Sequence, residues 1–147
     1  MAAPLRILVI DDDESVRKLV WAVLHREGHE IVQAGSGKAG LAALEAGAFD
    51  VVLTDKNLGD ISGLELIARI RTSHPTLPVV LMTGAPERIT SGAMPDAYLP
   101  KPFRSLKTLV EAVDEAVEKQ RIAALRRSAQ ERLAGLRSVL HPAPGQR

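Results

Sequence analysis

Two hydrophobic periods alternate along this chain, and no other feature limits its fold as strongly. Leu5–Ile10, Glu30–Ala34, Val51–Leu53, Pro78–Met82 and Ala97–Leu99 have the length and residue types of short buried strands. Between them the spacing changes. Val16, Leu19, Val20, Val23 and Leu24 fall on one helical stripe, with Gly28 placed to end it. Ser36 can cap a helix to about Ala46, closed by Gly47, and Gly63–Thr72 is helical, with Leu66, Ile67 and Ile70 turned inward and Pro75 past its end. A long helical pattern starts near Ser105. Strand–helix alternation predicts an α/β fold with a parallel sheet, because each helix returns the chain for the next strand. Right-handed crossovers then gather the carboxyl ends of all strands on one edge, where open sheets of this kind place their sites.

What the chain carries at that edge is therefore the functional question. The first strand runs into Asp11-Asp12-Asp13, the third into Asp55, the fourth into Thr83 and the fifth into Lys101-Pro102. Helix capping by Asp12 or Asp13 accounts for one or two of the consecutive acids. A further carboxylate from a neighbouring strand crowds like charges that repel unless a cation sits among them. A hard divalent ion such as Mg²⁺ suits such a group, taking one or two carboxylates plus waters and phosphate oxygens. Taken singly, Thr83 reads as a strand-end hydroxyl, Lys101 as a solvated charge beside a turn, and Tyr98 as an amphipathic residue of the sheet edge. His25, His29, His74 and His141 lack metal-ligand spacing and are expected on the surface, and Trp21 is expected half-exposed. Gly35 and Gly37 fail the phosphate-loop pattern and mark a turn before the second helix.

The pieces ILVIDDDE at 7–14, VVLTD at 51–55, SGLEL at 62–66, VVLMTG at 79–84 and YLPKPF at 98–103 resemble, in this order, the receiver domain of two-component response regulators. The resemblance covers about residues 5–118. It implies a flavodoxin-like, doubly wound five-stranded sheet of order 2-1-3-4-5. It also implies that Asp55 is the phosphoacceptor, taking a phosphoryl group from a histidine kinase or phosphotransfer protein. Asp12 would hold Mg²⁺ directly, Asp11 partly through water, and Asp55 with the main-chain carbonyl of Asn57 would complete the protein ligands. Thr83 would donate its hydroxyl to the phosphoryl group and Lys101 would pair with a phosphoryl oxygen. The Lys101–Pro102 bond would be cis, and Tyr98 would be the aromatic switch that follows Thr83. The chemistry agrees, since a carboxylate can carry a phosphoryl group and its transfer needs mainly positioning and neutralisation of charge. Slow loss of the phosphoryl group is the only turnover expected, so the chain is not expected to be an enzyme.

Two departures stand out. Gly59 follows Leu58 where the family usually has Pro, and Ser62 stands where Asp is common, which suggests a more mobile loop after Asp55. Pro86, Gly92 and Pro95 leave room for about two helical turns between the fourth and fifth strands, so a shortened helix is expected there. A receiver-like scaffold whose output does not depend on phosphorylation is the alternative that these departures motivate.

Charge divides the chain as well. The formal net charge of +1 conceals a body, residues 1–118, at −5 and a segment, residues 119–147, at +6. The first is expected to be the receiver domain and the second a basic helical extension with a frayed end, HPAPGQR. A helix over 105–140 would be about 54 Å long. Its second apolar stripe, from Ile122 to Leu140, is out of phase with the first, Leu106 to Val117, so no heptad seam runs through both. Such a helix suits a homodimer or continuation into a longer parent. Direct nucleic-acid binding is not expected, because the basic segment lacks aromatic residues and any zinc motif. The absence of cysteine excludes disulfides and thiolate chemistry, and 46% hydrophobic residues suffice for a core. No apolar run approaches a membrane span and the start does not read as a signal peptide, so a cytoplasmic location without a membrane partner is expected.

Overall fold

A computed structural model describes residues 3–84 and 92–141. Its strands β1 (Arg6–Ile10), β2 (Glu30–Ala34), β3 (Val51–Asp55), β4 (Val79–Thr83) and β5 (Ala97–Pro100) form one sheet of order β2-β1-β3-β4-β5. Every pairing is parallel. Helices α1 (Glu14–Arg26), α2 (Gly37–Ala46), α3 (Gly63–Ser73) and α4 (Leu106–Leu140) complete the described elements. The expected helix between β4 and β5 and the frayed end fall largely on residues 85–91 and 142–147, outside the described residues.

Strand side chains alternate between two cores. Ile7, Val9, Leu53 and Met82 face α1 and α4, whereas Leu8, Ile10, Val52 and Leu81 face α2 and α3. These side chains are essentially inaccessible to water. Each contributes about 1.5–3 kcal/mol by leaving it, before the opposing entropy of ordering the chain. Covering both faces explains why the strands read as unbroken apolar runs rather than as alternations.

Local residues set the helix ends. Asp13, Ser36, Ser62 and Ser105 are N-caps, each accepting main-chain N–H bonds from the first turn of its helix. Gly28 has φ +94, a left-handed conformation that turns the chain from α1 into β2 at little steric cost. Two expectations need correction. His29 is buried, because its Nδ1 accepts the Leu5 main-chain N–H and so joins the α1–β2 turn to the start of β1. The inner face of α4 is Leu109, Ala112, Val113 and Ala116, while Leu106 is half-exposed. The small side chains of the two alanines let α4 approach the sheet, a face that a search for large apolar residues underweights.

Helix α4 has 35 residues, about 52 Å of helix. Its first part packs on the body, and from Ala124 onward every described residue is exposed. Gln120 marks the end of the contact. Its amide donates to the buried carboxylate of Asp96 at 2.9 Å, which also accepts from Arg71 at 2.7 Å and from the Val79 N–H at 2.9 Å. This cluster ties α3, α4 and the start of β4 at the amino edge of the sheet.

Candidate functional site

The carboxyl edge carries the opposite chemistry. Asp11 follows β1 and is fully buried. All its acceptors are engaged. Its carbonyl accepts from Arg17 Nη1 at 2.7 Å, Oδ1 from the Asp13 N–H at 2.9 Å, and Oδ2 from Lys101 Nζ at 2.9 Å. Asp55 is the last residue of β3 and is 9% exposed. Its Oδ1 accepts from the same Lys101 ammonium at 3.2 Å. Lys101 thus joins residues 90 and 46 positions away. It reaches them because its main-chain N–H is held by the Thr83 carbonyl at 2.8 Å, at the end of the adjacent strand. The Lys101–Pro102 peptide bond is cis.

Asp12 points into solvent, and oxygens of Asp11, Asp12 and Asp55 lie within 4.8 Å of one another. Three carboxylates against one ammonium leave an excess of two negative charges, the charge of one divalent cation. The donor set is all oxygen, which fits a hard ion and not a soft one. These three acids could therefore hold a metal. Asp13 does a different job. Its carboxylate caps α1 and is held below the ordinary Asp range by the Ser15 hydroxyl and N–H.

Electrostatics at Asp55 are poised rather than relaxed. Burial, and then the charge of Asp11, push its carboxyl above the ordinary Asp value, and Lys101 only partly offsets them. For Lys101 burial works against the charge, but its bonds to Asp11 and Asp55 outweigh burial and hold the ammonium above the ordinary Lys value. The two directions agree, because Asp11 attracts Lys101 and repels Asp55.

The other candidate residues lie on the strands and the loop next to this centre. Thr83 ends β4 and is buried. Asn57 forms an antiparallel bridge with Ser62, so the loop after Asp55 doubles back before α3. Tyr98 is half-buried in β5, paired in register with Leu81 and packed on the α2–α3 side. Gly63 is needed for close approach, since a Cβ there would meet the Asp55 carbonyl at 2.3 Å. Gly59, with φ +82, supplies a left-handed turn in the same loop.

Sequence reasoning missed two supports. Arg17 holds the Asp11 carbonyl, and Asp60 accepts the Gly37 and Lys38 N–H groups at 3.0 Å, fastening the loop after Asp55 to the start of α2. Those N–H groups also hold the Asp60 carboxyl below its ordinary range. Arg17 bonds a main-chain carbonyl ahead of its helix, which leaves no side-chain pattern in the sequence, and nothing local signals Asp60, whose partners are 22 and 23 positions away.

Residues 7–114 match the family model of the response regulator receiver domain. The transcriptional regulatory protein GlrR of Escherichia coli K12 is 32% identical over 125 residues, covering 78% of this chain and 27% of that protein. The response regulator protein FleR of Pseudomonas aeruginosa is 39% identical over 111 residues, covering 71% and 24%. The chain thus spans about a quarter of the length of each. A CheY-like receiver domain protein from Methanospirillum hungatei superposes with a TM-score of 0.72 at 28% identity, covering 82% of this chain and 99% of that one. Among the described residues no helix is long and apolar enough to cross a membrane. With its sheet order and the family match over residues 7–114, this chain belongs to the receiver-domain family of two-component response regulators.

Proposed function

We propose that the chain is a phosphoacceptor module that takes a phosphoryl group on Asp55 from a histidine kinase or phosphotransfer protein. The observation that carries this reading is the single Lys101 ammonium shared by Asp11 and Asp55, beside the exposed Asp12. Lys101 engages Oδ1 of Asp55. A carboxylate oxygen of Asp55 attacks phosphorus, the bond from phosphorus to the donor breaks, and its electron pair leaves with the donor. Lys101 and the Thr83 hydroxyl stabilise the charge on the transferring oxygens. Asp11, Asp12, Asp55 and the Asn57 carbonyl would hold Mg²⁺, which supplies the remaining neutralisation. Thr83 and Tyr98 are the residues through which the new charge is read. Their shift changes affinity for a partner, or self-association.

Residues 1–118 carry this function, and 119–147 form a basic extension. Turnover is confined to slow loss of the phosphoryl group, and the setting is the cytoplasm. The test is intact-protein mass after incubation with a small phosphodonor, with and without Mg²⁺. One phosphoryl increment that requires Mg²⁺ and vanishes in Asp55→Asn is expected. No increment, or an increment retained by Asp55→Asn, overturns the reading. Partner affinity that is the same before and after phosphorylation favours a scaffold.

A further inference from the structure

Helix α4 presents one outward stripe whose chemistry changes half-way. Glu111, Glu115 and Glu118 lie on it, and steps of three and four residues carry the same line on to the apolar positions from Ile122 to Leu140. The stripe lies opposite the face buried on the body. Its acids are exposed, and Leu125, Leu133 and Leu136 are more than half exposed. Charge divides at the same point. Residues 106–118 hold Glu111, Asp114, Glu115 and Glu118 against Lys107, a net of −3. Residues 119–140 hold six Lys or Arg against Glu131, a net of +5.

We propose that two copies of this chain pair through α4 in antiparallel fashion, about a two-fold axis near Ala124. A parallel pair would set the basic half on the basic half and the acidic half on the acidic half. The antiparallel pair sets each basic, apolar half along the partner's acidic half. In this register Arg137 of one copy falls level with Glu111 of the other, and Arg132 falls between Asp114 and Glu118 on the same flank. Glu111 and Glu118 keep their bonds to Lys107 and Arg121 and gain a second cation. Ile122 and Leu125 of both copies meet at the centre.

A second exposed apolar feature lies round the helix from the facing stripe, at the level of the partner's helix end. A groove of about 550 Å³ between α1 and α4 is lined by Leu19, Val23, Leu106 and Val110. It lies as far on one side of Ala124 as Leu136, Val139 and Leu140 lie on the other, so each copy's helix end comes level with the partner's groove. The pairing also accounts for the phase break in the apolar pattern. The acids of the first half meet the arginines that flank the partner's apolar line, and the inner face is apolar because it meets the sheet. None of this depends on phosphorylation of Asp55.

The chain has no cysteine, so single introduced thiols give clean cross-links. Glu115 and Leu133 fall level across the proposed axis. Glu115→Cys and Leu133→Cys should each fail to cross-link alone and should form the mixed disulfide when combined. Within one parallel pair the opposite pattern holds, because residues 115 and 133 lie about 27 Å apart along the helix. In sedimentation velocity the full chain should be a dimer that weakens as salt rises. Arg132→Glu with Arg137→Glu should weaken it about tenfold or more, and adding Glu111→Arg and Asp114→Arg should restore most of the loss. Phosphoryl uptake on Asp55, read by mass, serves as a folding control for each variant, and circular dichroism serves where the wild type takes up none. A monomer at tens of micromolar, or cross-linking of Glu115→Cys to itself in place of the mixed product, overturns the proposal.

Discussion

Asp55 and Lys101 are neighbours whose removal should have opposite effects on the metal-free protein. Asp55 lies beside the fully buried Asp11, and its carboxyl is raised above the ordinary value of 3.8, first by burial and then by the charge of Asp11. An acid that holds its proton more tightly when folded contributes full stability below its unfolded pKa. That contribution is lost as pH rises through the folded value. At neutral pH the ionised Asp55 is therefore a cost. Asp55→Asn should raise the melting temperature in chelator by roughly 3 °C at neutral pH, and the gain should shrink as pH falls towards the ordinary Asp value. Lys101→Met removes the only cation seen on either carboxylate among the described contacts. It should cost about 2–3 kcal/mol, discounted for the lysine's partial exposure, and a divalent cation should return part of the loss. Thermal melts with chelator and with Mg²⁺ check both. A destabilised Asp55→Asn would mean that the Lys101 bond outweighs the repulsion from Asp11.

At the scale of elements, the amino edge of the sheet holds the shape while the carboxyl edge holds the charge. Asp96 is buried and accepts from Arg71, Gln120 and the Val79 N–H, and Arg71 also donates to the Leu77 and Met94 carbonyls. Asp96→Ala takes the carboxylate partner from the partly buried Arg71 guanidinium and leaves the Val79 N–H without its acceptor. It should cost about 3 kcal/mol in denaturant unfolding while phosphoryl uptake at Asp55 persists, because the cluster sits at the other end of β4. Nothing local announced this cluster. Its members are 17 to 25 positions apart, and Asp96 reads in isolation as an ordinary loop acid. The strands, helix caps and edge residues were legible because each depends on its neighbours: a run of β-formers, a Ser or Asp before a stripe, an acid at a run's end. His29 and Asp60 were not, because their roles come from pairing between distant segments, and Arg17 was not, because its partner is a main-chain carbonyl. The inner face of α4 was half legible, since Val113 is apolar but Ala112 and Ala116 are small enough to pass for surface.

For the whole molecule, the question is where the body stops depending on α4. The sequence places a boundary at residue 118, where the charge changes sign. The contacts of α4 with the body run slightly past that residue. Gln120 reaches Asp96, and exposure is unbroken only from Ala124. A chain ending at 118 loses the Gln120 amide from the Asp96 cluster, whereas a chain ending at 123 keeps every described contact between α4 and the sheet. Residues 124–140 bury nothing against their own body, so their apolar side chains add no stability to an isolated copy. The chain ending at 123 should melt within about 2 °C of the full chain under conditions where both are monomeric, and should take up phosphoryl on Asp55 at the same rate. The chain ending at 118 should melt lower by roughly 3 °C or more, the cost of one buried charge-assisted hydrogen bond. At higher concentration mass action widens the gap in favour of the full chain. The full chain should gain stability with concentration, and neither truncated form should, because antiparallel pairing needs Arg132 and Arg137. Melting curves of the three lengths at two concentrations therefore separate the fold's own boundary from the reach of the helix beyond it. Equal melting of the chains ending at 118 and 123 would place the boundary where the charge changes rather than where the contacts end.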